Sequence, residues 1–439
     1  MQRRPTALAR ALPFFYGWWV VIAAFIIILI AGSAPLYLFS VLVERLEEEF
    51  GWSRATIGAG PSLGAVVGGL TLPLAGYLAD RVGVRRLVVA GVLLVGGGNL
   101  ALSQVQTLWQ FYASVLVIAI GMSMAGVPVC LIAAAHWFEK KRGRAMGIVT
   151  MGAGASGIMV VLAVSVIAPL GWRTGTLIVG VTQLAIGLPL ALTVRNRPQE
   201  MGLLPDGEPP ALAQASADPP QAVEEESGDK GIEQPEGLAI GETLRTRPFW
   251  LLVSAMVLAW VGSFAVIVHV VAYLDESAGF TERGAAVIAM GIPFGSMVGR
   301  LAFGWLADYL SKRWLLTAAW TLQALGLLIF AVVHSPWQAV VFLAVFTPGF
   351  GGAIPVMPAL LTEYFGLRAF GTIQGLVMAA AMLGAFTGPI FAGAAYDMMD
   401  TYRLAFLILA LITLTAAVLV QMMGRPLAWA REVAVAPRG

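Results

Sequence analysis

Apolar stretches closed by glycine, proline or charged positions recur along the whole chain, at 17–40, 56–78, 87–106, 108–135, 145–168, 173–194, 249–273, 284–307, 314–334, 337–361, 370–395 and 403–423. A helix needs roughly 20 apolar residues to cross the hydrocarbon core of a bilayer, and each stretch meets that length. The pattern predicts an all-α membrane protein of twelve transmembrane helices. The first stretch follows Arg3, Arg4 and Arg10 but runs too long for a signal-peptide core, so it is expected to remain in the mature protein. Residues 195–247 break the rhythm with Pro198, Pro205, Pro209, Pro210, Pro219, Pro220 and Pro235 and the acidic run Glu224, Glu225 and Glu226. That composition buries too little apolar surface to fold, which predicts a flexible cytoplasmic linker. It would join an N-terminal six-helix bundle, 1–194, to a C-terminal one, 248–439.

Composition supports the membrane reading and narrows the function. Hydrophobic residues make up 59% of the chain and charged ones 12%, with mean hydropathy +0.82, which excludes a soluble domain of this length. Of 27 Lys and Arg residues, 21 fall on the side of both termini, 5 in the opposite loops, and Arg300 alone lies inside a span. Basic loops stay in the cytoplasm, so both termini are expected there, with the bundle in the plasma (inner) membrane. A net charge of +2, spread over loops, gives no footprint for nucleic acid. The single cysteine, Cys130, excludes an internal disulfide. Three histidines and one cysteine offer no metal cluster, and no phosphate loop or nucleophile motif is present. The chain is therefore not expected to be an enzyme or to need a cofactor. Its expected partners are a small solute and the bilayer, and no obligate protein partner is evident.

The halves resemble each other. Gly76-Tyr-Leu-Ala-Asp80-Arg81 after span two recurs as Gly304-Trp-Leu-Ala-Asp308-Tyr309 after span eight, 304 standing 228 beyond 76. Trp137-Phe138 and Arg144-Ala-Met-Gly147 recur as Tyr364-Phe365 and Arg368-Ala-Phe-Gly371. Gly60, Gly64 and Gly68 in span two, and Gly291, Gly295 and Gly299 in span eight, repeat every four residues along one helical face. Spans five and eleven are also glycine-rich. Small residues at that spacing let helices approach closely, and their concentration in spans two, five, eight and eleven predicts the elements that slide between halves.

Residues 76–86 match at every specified position the loop motif Gly-x-x-x-Asp-Arg-x-Gly-x-Arg-Arg of the major facilitator superfamily, which the whole chain resembles. The resemblance implies an alternating-access transporter gated at its cytoplasmic side by Gly76, Asp80, Arg81, Gly83, Arg85 and Arg86. Residues 137–147, with Lys140, Lys141 and Arg142 between an aromatic pair and Ala145-Met-Gly147, are similar to the monocarboxylate transporter signature. Arg142, Arg144 and Asp308 join the expected gate. Tyr16-Gly-Trp-Trp19 fits the same group and the related oxalate/formate antiporters. Those antiporters pair a span-eight arginine with a span-eleven lysine, but residues 370–395 hold no Lys or Arg. Animal-type monocarboxylate transporters carry an aspartate one turn before the arginine, where this chain has Ser296, and a span-one lysine that is absent here.

An arginine in mid-span costs at least about 2.5 to 3.5 kcal/mol to insert, so Arg300 is expected to face a cavity or a partner. Guanidinium matches carboxylate with two parallel hydrogen bonds. With one fixed cation in a low-dielectric site, a small monocarboxylate such as lactate or pyruvate is the favoured substrate, carried in symport with a proton. His269 in span seven is the candidate proton carrier, and also a candidate ligand. Tyr37 in span one and Ser123 in span four can add hydroxyls, with Phe346 and Phe350 in span ten an apolar wall. Asn99, Gln183, Gln323 and Gln374 read as helix–helix hydrogen bonds. Organic-anion exchange and a transporter-like carboxylate sensor are the alternatives.

Overall fold

The computed structural model describes residues 13–33, 39–167, 170–207, 237–277 and 279–424. The helices that cross the bundle are α1 Tyr16–Ser33, α3 Arg54–Val82, α4 Val84–Ser103, α5 Leu108–Ala125 continued by α6 Val127–Trp137, α7 Arg142–Ile167, and α8 Trp172–Thr182 continued to α9 Leu188–Thr193. After the short α10 Ile240–Thr243 come α11 Arg247–Ala272, α12 Glu282–Leu306, α13 Lys312–Phe330, α14 Pro336–Phe365, α15 Phe370–Met399 and α16 Arg403–Gln421. Among the described residues ten helices are long and apolar enough to cross a membrane, and α1 and α7, in the places of the first and fifth spans, bring the order to twelve.

Four successive helices restart at a constant interval: 282 against 54, 312 against 84, 336 against 108 and 370 against 142, each 228 apart. Their N-caps share it, since Ser53 accepts from the Thr56 N–H and Thr281 from the Gly284 N–H. Each satisfies a backbone donor that a helix start leaves orphaned. This interval corrects one sequence pairing. Gly143, not Gly147, is the counterpart of Gly371, so the match of Arg144 to Arg368 is displaced by about one helical turn.

One helix does not span. α2, Phe39–Phe50, is amphipathic, with Leu42 and Leu46 buried and its acidic side chains outward. Glu49 pairs with Arg173 at 2.8 Å and accepts from the Trp172 indole at 2.8 Å. These bonds hold its carboxyl below the usual carboxylate range. Their contribution to stability is present above the unfolded-state pKa and is lost as pH falls through the lowered folded value. Glu49→Gln is expected to lower the thermal midpoint at pH 7, with the gap from wild type closing on acidification, in paired melts across pH.

The linker is more ordered at its ends than its composition predicts. Residues 196–207 form a strap across the end of the bundle that carries the basic loops, here the basic end. Asp206, at φ +58°, accepts from the backbone N–H groups of Glu139, Lys140 and Lys141 at 2.9, 2.7 and 3.1 Å. Asn196 accepts from the Arg85 N–H at 3.0 Å, and Met201 is buried. On the other side of the linker the Leu238 N–H donates to the Phe365 carbonyl. A carboxylate on three orphan N–H groups outweighs the polar composition of the segment. Residues 208–236 lie outside the described residues.

Candidate substrate site and gate

At the basic end the halves meet through two equivalent crossings. In one, α3 crosses α15: Asp80 accepts from the Gly371 N–H at 2.9 Å and from the Thr372 N–H and hydroxyl at 2.8 Å each. In the other, α12 crosses α7: Asp308 accepts from the Gly143 N–H at 2.7 Å and from Arg144 Nε at 2.6 Å. Each carboxylate caps the start of a helix from the other half, where free N–H groups and the helix dipole favour an anion. Arg144 also donates to the Tyr309 hydroxyl, and Arg142 to the Thr362 hydroxyl at 3.0 Å. The backbones almost touch. A Cβ at Gly76 would run into the Gly371 carbonyl, and one at Gly143 into that of Gly304.

Five of the predicted gate residues, Gly76, Asp80, Arg142, Arg144 and Asp308, thus lie on these contacts, and four do not. Gly83 takes φ +95° at the end of α3, where a Cβ would press on Asn196 of the strap. Arg81 is exposed and stacks on the ring of Tyr77 in its own helix, 4.8 Å from the centroid. Arg85 meets the strap through its backbone, and Arg86 is exposed.

The glycine series also needs correction. Gly60 and Gly64 pack on Phe111 and Val115 of their own half, and Gly291, Gly295 and Gly299 on Leu343, Thr347 and Pro348 of theirs. The close approaches between halves use Gly76, Gly143, Gly147, Gly304, Gly371 and Gly375. Four-residue spacing reports a tight helix pair and does not say which neighbour is paired.

Arg300 lies just above the α7–α12 crossing. It is 6% exposed, and its Nη1 donates across the interface to the Thr150 carbonyl at 2.5 Å. Gly154, one turn further along α7, leaves room for the guanidinium, since a Cβ there would stand 2.8 Å from Nη1. Nε has no hydrogen-bond partner among the described residues. A desolvated cation holding one neutral carbonyl is far from satisfied. Every hydrogen bond joining the halves among the described residues belongs to this group or to the latches below it.

The other candidates do not gather around Arg300. His269 lies 22 residues along α11 from Arg247, about 33 Å at 1.5 Å per residue, whereas Arg300 is six residues, about 9 Å, from the basic end of α12. Its Nε2 stands 3.0 Å from the Pro389 carbonyl and its Nδ1 3.3 Å from the Tyr402 hydroxyl. A carbonyl only accepts, so Nε2 carries a hydrogen, and in the neutral tautomer Nδ1 receives the tyrosine proton. Ser123 is buried, accepts from the Thr71 hydroxyl at 2.9 Å and donates to Ile120, tying α5 to α3. Phe346 is fully buried in a column with Phe330, Phe342 and Phe350 inside the C-terminal half, so it is core and not an apolar wall in this conformation. Phe350 keeps a partly exposed edge. Tyr37 lies outside the described residues.

Of the intramembrane amides, Asn99 donates to Gln183 at 3.1 Å and Gln323 accepts from Ser263 at 2.6 Å, as expected of helix–helix bonds. Gln374 differs. It is fully buried with both amide atoms unpartnered among the described residues, a feature only the packed structure could reveal.

Two repeats of membrane helices, latched across their interface at one end and carrying a buried cation above the latch, define a membrane transporter. The chain matches the Major Facilitator Superfamily over residues 20–300 and 285–431, and it belongs to that family. It is 25% identical over 404 residues to monocarboxylate transporter 13 of Bos taurus, covering 90% of this chain and 86% of that protein. It is 26% identical over 344 residues to the membrane sensor protein UhpC of Salmonella typhimurium, covering 76% and 75%. Among solved structures, the proton:xylose symporter XylE superposes with TM-score 0.70 at 16% identity over 95% of this chain and 99% of that one. The human organic anion transporter MFSD10 gives 0.66 at 15% identity over 92% and 99%.

Proposed function

We propose that the protein carries small monocarboxylates across the plasma (inner) membrane by alternating access, with Arg300 binding the carboxylate. The observation that carries this reading is the buried guanidinium between the halves, with one carbonyl as partner and Nε unbonded. A carboxylate entering from the far end would supply the charge and the acceptors it lacks. Residues 1–194 and 248–439 rock as two bodies, with the basic end and both termini in the cytoplasm. On that orientation the latched end closes the cytoplasmic side, and the far end is the route of entry. The similarity to monocarboxylate transporter 13 supports the substrate class.

Proton symport is the coupling we infer, with His269 as carrier. The axial separation from Arg300, roughly 24 Å by the helical rise, means that the proton acts on the far end of α11 and α15 and not on the bound carboxylate. Protonating His269 puts a donor on Nδ1 where Tyr402 now donates, so the contact must rearrange. His269→Ala is expected to leave carboxylate binding within about twofold of wild type while removing the acceleration by an inside-alkaline gradient, a split measurable by pairing binding with flux. Equal gradient response in the variant would assign coupling elsewhere.

Binding to the purified protein tests the substrate class. Isothermal titration with L-lactate, pyruvate and the uncharged lactamide is expected to give heat with the two acids and none with the amide. Binding of lactamide as tight as lactate would remove the role given to the guanidinium. The similarity to UhpC favours one second reading, a carboxylate sensor; it would bind the acids without moving them.

A further inference from the structure

Beside the Asp80 latch, at the basic end, lies a cavity of about 450 Å³, which falls within the range of small-molecule sites. Three separate segments wall it: the end of α3 with the Gly83 turn, the strap at 196–200, and the loop of the C-terminal half at Leu367 and Arg368. Each contributes one arginine, Arg81, Arg197 and Arg368. Asp80 and Glu200 add two carboxylates to the lining, so three arginines leave it a formal charge of +1. Asp80 is committed to Gly371 and Thr372, and Glu200 accepts from Asn196 at 2.8 Å. His136 also lines the cavity, with Nδ1 held by the Ile132 carbonyl at 2.8 Å, so Nε2 is the ring atom left to meet a ligand.

The lining keeps an excess positive charge for an anion to balance, with both carboxylates already held by their own donors. Guanidinium pairs in bidentate fashion with phosphate. We propose that this cavity binds a small phosphate-bearing anion, and that the anion clamps the strap and both halves in the latched conformation. Because Arg368 and Arg81 come from opposite halves, the site is complete only while the Asp80 latch is closed. A ligand that binds one conformation better draws the population toward it, so occupancy stabilises this state and slows the transport cycle. The phosphate can belong to a soluble compound or to a lipid headgroup.

The test uses the purified full-length protein and needs no transport substrate, so its outcome is independent of the proposed carboxylate specificity. Pyrophosphate and dioctanoyl phosphatidate would each be titrated against the detergent-solubilised protein, with heat of binding and thermal midpoint recorded against sodium chloride of equal ionic strength. A saturable rise in midpoint is expected with at least one phosphate probe. Affinity should weaken roughly tenfold or more in Arg197→Gln/Arg368→Gln, as loss of charge-assisted pairs requires, and stay unchanged in Arg54→Gln at the far end. Should the double variant fold poorly, Arg368→Gln alone, at an exposed position, carries the comparison. Response to pyrophosphate identifies a soluble ligand, and response to phosphatidate alone a headgroup. A midpoint shift equalled by chloride, or arginine variants that bind as wild type does, overturns the proposal.

Discussion

Arg300→Ala is expected to lower carboxylate affinity by roughly 30-fold or more, and transport with it. Truncating one partner of a buried, hydrogen-bonded charge pair costs about 2 to 5 kcal/mol, and each 1.4 kcal/mol is tenfold in affinity. Much of that cost is the stranding of the other charge, here the substrate carboxylate. The fold should survive, because Arg300 makes a single hydrogen bond, to the Thr150 carbonyl, and has no ion-pair partner among the described residues. Removing an unpaired buried cation relieves a desolvation penalty and opens a space next to Gly154. Arg300→Lys should fall between, keeping the charge without the planar fork. Titration of lactate into folded, monodisperse variant protein checks this, and binding by Arg300→Ala at wild-type strength would refute it.

The second large effect is conformational. Gly76→Leu places a side chain where the Gly371 carbonyl now lies, and neither backbone can retreat without separating α3 from α15. Overpacking of this kind costs about 1 to 3 kcal/mol, enough to move a two-state population by roughly 5- to 150-fold. The latch opens without unfolding the halves, since each half keeps a buried cluster of its own beside the one that spans both. A cysteine at Ile132, 1% exposed and facing Gly371, reports the separation in a Cys130→Ser background. Maleimide labelling there should accelerate by one to two orders of magnitude in Gly76→Leu. Gly304→Leu, its equivalent 228 residues on, should do the same from the other crossing. Labelling no faster than in the parent would mean that the close glycine contacts do not set the conformation.

Much of this was legible in the sequence, for identifiable reasons. Apolar length gives the spans directly, because a helix in lipid must satisfy its own backbone and so has a fixed reach. The repeat was visible in Asp80 and Asp308, whose chemistry the gate needs twice. Its register was wrong by a turn at Arg144 and Arg368, because matching residue types in adjacent loops misled where capping geometry decides. Arg300 stood out because charge is rare in a span. Phe346 and Ser123 did not, because an aromatic at four-residue spacing or a lone hydroxyl has the same signature in a core as in a lining. The strap was invisible, since a few backbone bonds to Asp206 and Asn196 leave no compositional mark. Gly154 shows the same limit. A glycine that makes room for a guanidinium reads in sequence as one more packing glycine.

If a carboxylate moves through a site built on Arg300, its flux depends on that side chain. Uptake of radiolabelled L-lactate and pyruvate into proteoliposomes, with and without an inside-alkaline gradient, compares wild type with Arg300→Ala most directly. Gradient-stimulated uptake by wild type and background flux in the variant are expected. Uptake by wild type only against an internal carboxylate, unresponsive to the gradient, would replace symport by exchange through the same site. Movement of neither acid under any condition, or equal uptake by Arg300→Ala, would contradict the account.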